Sequence, residues 1–203
     1  MQTLISEENK NLVDLTTLEA LLGSEARTKV FLVLFTNLGR TFYQRQVESA
    51  TKLPLRAVQR ELERLSHIGL IYQWKEGNRT WYQIDQSHPL VPILQSLILK
   101  VCSPIDRLRT VLNTNKSVRL AFYHHDKNEV IVVTNGDVFP ESIEGIRLTI
   151  LTTNEFMERM EQMHPELINV LKGAVDLLGN REDFLWRIIE TNKLTIPKGE
   201  NVL

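Results

Sequence analysis

The stretch LPLRAVQRELERLSHIGLIYQWKEGNRTWYQI, residues 53–84, constrains the fold more than any other, because its hydrophobic period changes abruptly within it. Leu55, Val58, Leu62 and Leu65 recur at intervals of three and four, a stripe that a helix gathers on one side. Arg56, Gln59, Arg60, Glu63 and Arg64 then fall on the opposite side. Pro54 breaks the chain ahead of this helix and Gly69 stops it. Two aromatic and β-branched runs follow around Glu76-Gly77-Asn78, where Gly and Asn accept positive φ, so the pattern predicts a β-hairpin. Any fold for this chain must let a helix with one cationic side run straight into a tight hairpin.

Upstream, SEARTKVFLVLFT places Ser24 as N-cap of a helix with a thick apolar face that includes Val30 and Leu34. After the turn signal NLGR, an extended Thr41-Phe42-Tyr43 leads into a short helix at about Gln44 to Thr51. Helix, helix, helix, hairpin is the element order of a winged helix; the plainer alternative is a small helical domain whose third helix has a solvated face. Trp74, Trp81 and Tyr82 on the hairpin are assigned to packing. Charge is distributed unevenly: net −3 over residues 1–22, +5 over 23–100 and −3 over 101–203, within a formal total of −1. That pattern suggests an anionic partner for the middle segment.

HPLVPILQSLILKV, residues 88–101, is apolar at nearly every position and suits a helix buried between domains or subunits, with Leu90, Ile93, Leu94, Leu97, Ile98 and Val101 as the expected dimer contacts. PIDRLRTVLNTN continues as a short helix and linker. The period then changes: SVRLAFYH, EVIVVTN and RLTILT read as strands, Thr152-x-x-Glu155 as a capping box, HPELINVLKG as a short helix, AVDLLG as a last strand and REDFLWRIIE as a closing helix. The class expected is α+β. The division expected is a DNA-binding unit with an N-terminal extension at 1–87, a linking and dimerisation helix at 88–103, a small α/β domain at 104–190, and a polar tail at 191–203 that frays.

No stretch approaches the ~20 unbroken apolar residues a membrane span needs, and MQTLISEENK lacks a basic start and an apolar signal core, so the expectation is a cytoplasmic protein. The single cysteine, Cys102, excludes an intrachain disulfide and a thiolate-rich zinc cluster.

The segments LLGSEARTKVFLVLF, GRTFYQRQVESATKL, RAVQRELERLSHIGLI and KEGNRTWYQIDQSHPL resemble ArsR-like winged-helix regulators, in the subgroup whose helix-turn-helix is joined to a nucleotidyltransferase-like domain. SVRLAF and TTNEFMERMEQMHPELINVLKGAVDLLGN are similar to parts of that second domain. The departure from the family is informative. Active members run from the first strand through a Gly-Ser turn and a helix into a strand with paired aspartates, which bridge divalent metal between nucleophile and leaving oxygen. Here Phe122 is followed by YHHDKNEVIVV, with no Gly-Ser, no room for the helix and no D-x-D. The resemblance therefore implies a catalytically dead domain serving assembly or sensing, with no cofactor and no catalytic residue.

On this reading Arg56, Gln59 and Arg60 read base edges in the major groove, Arg bidentate to guanine and Gln to adenine. Phosphate contacts come from Lys75, Asn78 and Arg79 of the hairpin, from Arg40, Tyr43, Arg45 and Gln46 around the second helix, and from Arg64. The partners expected are palindromic double-stranded DNA, a second copy of the chain and an unidentified small-molecule or protein effector. Two readings of other classes stay open: a nucleotidyltransferase-type enzyme or toxin-antitoxin component using Asp126, Glu129 and Asp137, and a winged-helix protein-interaction module that binds no DNA. Metal sensing through His88 with Cys102, or through His124, His125 and Asp126, is disfavoured, because adjacent strand residues point to opposite faces. His124-His125-Asp126 is read instead as a hairpin turn.

Overall fold

The computed structural model describes residues 15–136, 142–143, 145–179 and 184–203. The class is α+β, with two separate sheets. The first half comprises α1 (Leu15–Leu22), α2 (Glu25–Phe35), β1 (Thr41–Tyr43), α3 (Gln44–Thr51), α4 (Leu55–His67), and the hairpin β2 (Ile71–Glu76) and β3 (Arg79–Ile84). α1 has no counterpart among the elements expected from the sequence. Ser24 caps α2 as expected, its hydroxyl accepting from the Arg27 N–H at 3.3 Å. α2 is enclosed on all sides by α1, α3, α4 and α5 (Val91–Val101), and Val30 to Phe35 are buried without a break. β3 is the middle strand of the three, pairing antiparallel with β1 and with β2.

α4 turns Val58, Leu62 and Leu65 into this core. Glu61 shares that inward stripe and is 5% exposed. Its carboxylate is held between Arg27 Nε at 3.1 Å and Arg64 Nη1 at 2.6 Å. Arg27 Nη1 also donates to the Leu22 carbonyl at 2.7 Å, so this buried charge ties α4 to the ends of α1 and α2.

Three expectations about the first half need correction. The linking helix starts at Val91 rather than 88, and Ile98 and Val101 point into the chain's own core instead of outward. Leu94 and Leu97 are partly buried against the same core, while Leu90 and Ile93 remain 48% and 64% exposed. A helix between α2 and the surface needs only one apolar side inward, so its overall hydropathy overstated what was available to a partner. Trp74, expected in packing, lies on the edge strand β2 and is exposed; Tyr82 is buried, and Trp81 packs edge-on against Tyr43.

The second half contains α6 (Pro104–Thr114), β4 (Val118–His124), β5 (Glu129–Thr134), β6 (Ser142–Ile143), β7 (Ile146–Thr152), α7 (Thr153–Glu161), α8 (Pro165–Leu171), β8 (Ala174–Asp176) and α9 (Phe184–Thr191). Its sheet runs β6-β7-β5-β4-β8, with β5 and β7 parallel and the other pairs antiparallel. β5 is an unbroken apolar run because both its faces are covered: Ile131 and Val133 meet α7 to α9, whereas Val130 and Val132 meet α6. The capping box forms as its spacing requires. Thr152 Oγ1 accepts from the Glu155 N–H at 3.2 Å, and Glu155 Oε2 accepts from the Thr152 N–H at 2.8 Å. The Thr152 N–H and then the Thr152 hydroxyl, both donating to this carboxylate, hold the Glu155 carboxyl below its ordinary pKa.

The tail is the largest correction. Residues 192–203 do not fray: they form a strap across both halves. Ile196 enters the core of the second half and Leu203 that of the first. Gly199 N–H donates to the Asp176 carbonyl at 2.8 Å. Asn37 Nδ2 donates to the Asn201 carbonyl at 2.9 Å, and Arg40 Nη1 to that of Leu203 at 3.4 Å. α6, read as a short helix and linker, is the other element of this joint. Its Arg109, 1% exposed, reaches Asp106 Oδ1 at 2.6 Å, Thr36 Oγ1 at 2.7 Å and the Glu200 carbonyl at 2.6 Å. Polar composition concealed the strap because it is held mainly through backbone groups, which the sequence does not display.

Candidate functional site

The cationic side of α4 is built from its own period. With Val58, Glu61, Leu62 and Leu65 inward, Arg56 and Arg60, one turn apart, are exposed. Neither has a hydrogen-bond or ion-pair partner among the described residues. Gln59, expected beside them, is engaged elsewhere. Its Nε2 donates to Gln44 Oε1 at 3.1 Å, and Gln44 Nε2 donates to the Tyr82 hydroxyl at 2.9 Å. This chain fixes α4 against α3 and β3, and it satisfies the polar end of a ring that is otherwise buried. Arg64 is likewise committed to Glu61, although its side chain is 60% exposed.

A second group gathers where the start of α3 meets the hairpin turn. Tyr43, Gln44, Arg45, Asn78, Arg79 and Thr80 line an open concavity of about 430 Å³. The Arg79 guanidinium lies 4.9 Å from the centre of the Tyr43 ring, a cation–π contact that orients it. Gly77, at φ 58°, makes the turn that places Asn78 and Arg79 there. Lys75 stands opposite Thr80 in the hairpin register and is exposed. Gln46 serves the helix, its Oε1 accepting from the Tyr43 N–H at 3.0 Å.

Arg40 stands apart from this concavity. It faces the strap, where burial lowers its pKa and the nearby Asp176 charge partly offsets that effect. The structure thus brings Tyr43, Arg45, Asn78 and Arg79 together, leaves Arg56 and Arg60 exposed on α4, and gives Gln46, Gln59, Arg64 and Arg40 internal partners. Gln44 and Thr80 were missed in the sequence because neither carries charge. Glu61 carries a signal in the sequence, since it lies three residues after Val58 on the apolar stripe that runs from Leu55 to Leu65.

His124 and His125 separate as their alternation requires. His124 is the last residue of β4 and is buried, its Nδ1 accepting from the Lys127 N–H at 3.4 Å. His125 is exposed, with Nδ1 3.7 Å from Asp126 Oδ1. Residues 125–128 make the whole connection from β4 to β5. Glu129 accepts from Thr149 Oγ1 at 2.8 Å; Asp137 lies outside the described residues. Among the described residues no three His, Cys, Asp or Glu side chains are grouped to hold a metal ion, and no helix is long and apolar enough to cross a membrane.

No protein-family model matches the chain, and no curated protein matches it. A solved structure described as a predicted DNA-binding transcriptional regulator from E. coli is 23% identical, over 41% of this chain and 83% of that one, with a TM-score of 0.30. That likeness is too distant to carry an argument.

Proposed function

We propose that this protein is a duplex-DNA-binding transcriptional regulator in which residues 25–84 act as a winged helix, α4 enters the major groove and the β2–β3 hairpin lies on the backbone. The observation that carries the reading is the pair Arg56 and Arg60: two exposed guanidiniums one turn apart, without internal partners among the described residues, on a helix whose Gln59, Glu61 and Arg64 are engaged within the protein. Arginine forks match guanine O6 and N7, and each such contact discriminates by roughly 1–3 kcal/mol. The concavity of Tyr43, Arg45, Asn78 and Arg79 supplies two cations and an amide at one spot, which suits a phosphate beside the groove. Arg40, Gln46 and Gln59 have structural roles in this account and leave the contact set.

A second copy of the chain covers Leu90 and Ile93, next to a shallow groove lined by Pro92, Ile93, Ser96, Leu97 and Lys100. A two-fold dimer carries paired recognition helices to major-groove faces about 34–36 Å apart, hence a palindromic site. The second half contributes assembly and sensing rather than catalysis. In support, a four-residue turn joins β4 to β5 where a transferase needs its loop and helix, and Glu129 is bonded to Thr149.

Duplex affinity measured against salt tests the reading. With Arg45, Lys75 and Arg79 on phosphates in each of two protomers, log K falls against log salt with a slope of about −5. A flat salt dependence, or equal affinity for every duplex tested, refutes it.

A further inference from the structure

Of the two carboxylates on α4, Glu61 is buried between Arg27 and Arg64, whereas Glu63 is exposed. Glu63 has no hydrogen bond or ion pair among the described residues. Arg64, next to it in the chain, is turned to Glu61, and neither Arg60 three residues before it nor His67 four residues after it closes an intrahelical pair. Its position on the helix places it with the two free arginines. At about 100° per residue, Glu63 lies about 20° around the axis from Arg56, and Arg60 lies about 40° to the other side. The three side chains share an arc of about 60° and, at ~1.5 Å per residue, span about 10 Å of helix. That length matches about three base-pair steps. We infer that Glu63 reads a base pair in the same groove as Arg56 and Arg60, and that it selects cytosine. The inference rests on the reading of α4 as the recognition helix and names a part of its sequence preference that the arginines do not supply.

Acceptor chemistry fixes the base. An ionised carboxylate has oxygens that accept hydrogen bonds and nothing that donates one. In the major groove guanine shows N7 and O6 and thymine shows O4, all acceptors, so Glu63 against either base sets acceptor on acceptor. The donors there are the exocyclic amines, N6 of adenine and N4 of cytosine. Adenine N7 stands beside its amine and repels the second carboxylate oxygen, whereas the cytosine edge carries the amine alone. Phosphates repel the carboxylate as well, so without an amine to meet it Glu63 lowers affinity. It acts largely by penalising the wrong bases.

Duplex selection by the parent protein, Glu63→Gln and Glu63→Ala, followed by affinities for the enriched site and its single-base changes, tests the inference. The parent protein is expected to enrich cytosine at one position of the site and to bind it about tenfold more tightly than the other bases there. Glu63→Gln keeps the size and gains a donor, and moves that position to adenine, whose N6 and N7 match the amide. Glu63→Ala leaves the position without preference and strengthens binding to random duplex, because a repelled charge is gone; the guanine positions stay as in the parent protein. An enriched site that neither variant changes at any position overturns the inference while the recognition helix stands. A uniform gain for all sequences in Glu63→Ala overturns it too, since it puts the carboxylate beside phosphate. Recovery of no common sequence by the parent protein removes the recognition-helix reading and this inference with it.

Discussion

Replacing Arg109 with Met tests whether the two halves are locked through one buried cation. The side chain is 1% exposed and makes contacts of 2.6, 2.7 and 2.6 Å with Asp106, Thr36 and the Glu200 carbonyl. Met keeps most of the aliphatic stem, so the loss is chiefly polar. Removing one member of a buried pair costs about 3–5 kcal/mol, because the remaining charge is uncompensated. Here the Asp106 carboxylate retains the donating Ser103 hydroxyl, whose oxygen accepts from the Asp106 N–H. Thr36 Oγ1 still donates to the Leu32 carbonyl at 2.7 Å. The lower end, about 3 kcal/mol, is therefore expected, a large part of the 5–15 kcal/mol typical of a domain.

Urea unfolding of Arg109→Met, Asp106→Leu and the double variant measures it. The double variant should recover much of the loss, since it removes both charges. A loss below about 1 kcal/mol in Arg109→Met, or additive effects in the double variant, refutes the argument.

Other consequences are as concrete. Gly179 sits at φ +69° with the Leu203 carbonyl and Val202 side chain where a Cβ would go; Gly179→Ala should destabilise by about 1–3 kcal/mol and speed hydrogen exchange in residues 198–203, and an unchanged urea midpoint would contradict the strap. Burial, followed by the Asp106 charge, raises the Cys102 thiol from its ordinary 9.0 to about 11. Native protein at pH 8 should therefore react with a thiol reagent about a hundredfold more slowly than unfolded protein. The stability linked to this neutral thiol is complete below pH 9 and is lost as pH rises through about 11. Ile93→Glu should shift light-scattering mass from dimer to monomer, leaving the circular dichroism unchanged; a dimer that persists would move the interface elsewhere.

What could be read in advance followed from local rules. The α4 stripe, the Gly77 turn and the Thr152–Glu155 capping box are each set by neighbours within a few residues, and they form where the spacing demands. Features built from distant partners were hidden. Arg109 looks like an ordinary helical arginine until Thr36 and Glu200 are brought to it, and the strap's anchors are carbonyls whose residue types carry no signal. Ile98 and Val101 were assigned to a partner because hydropathy states that a side is buried without saying against what. The candidate site divides the same way: exposure of Arg56 and Arg60 follows from period alone, whereas the commitment of Gln59 to Gln44 depends on how α3 and α4 meet.

Selection from a random duplex library by the purified protein tests the central claim most directly. The account predicts enrichment of a two-fold symmetric site whose guanine-bearing half-sites lie one helical turn apart, with Arg56→Ala and Arg60→Ala relaxing the enriched bases and Lys75→Ala and Arg79→Ala weakening all sequences alike. Recovery of no common sequence, or of one that is unchanged by Arg56→Ala and Arg60→Ala, contradicts it.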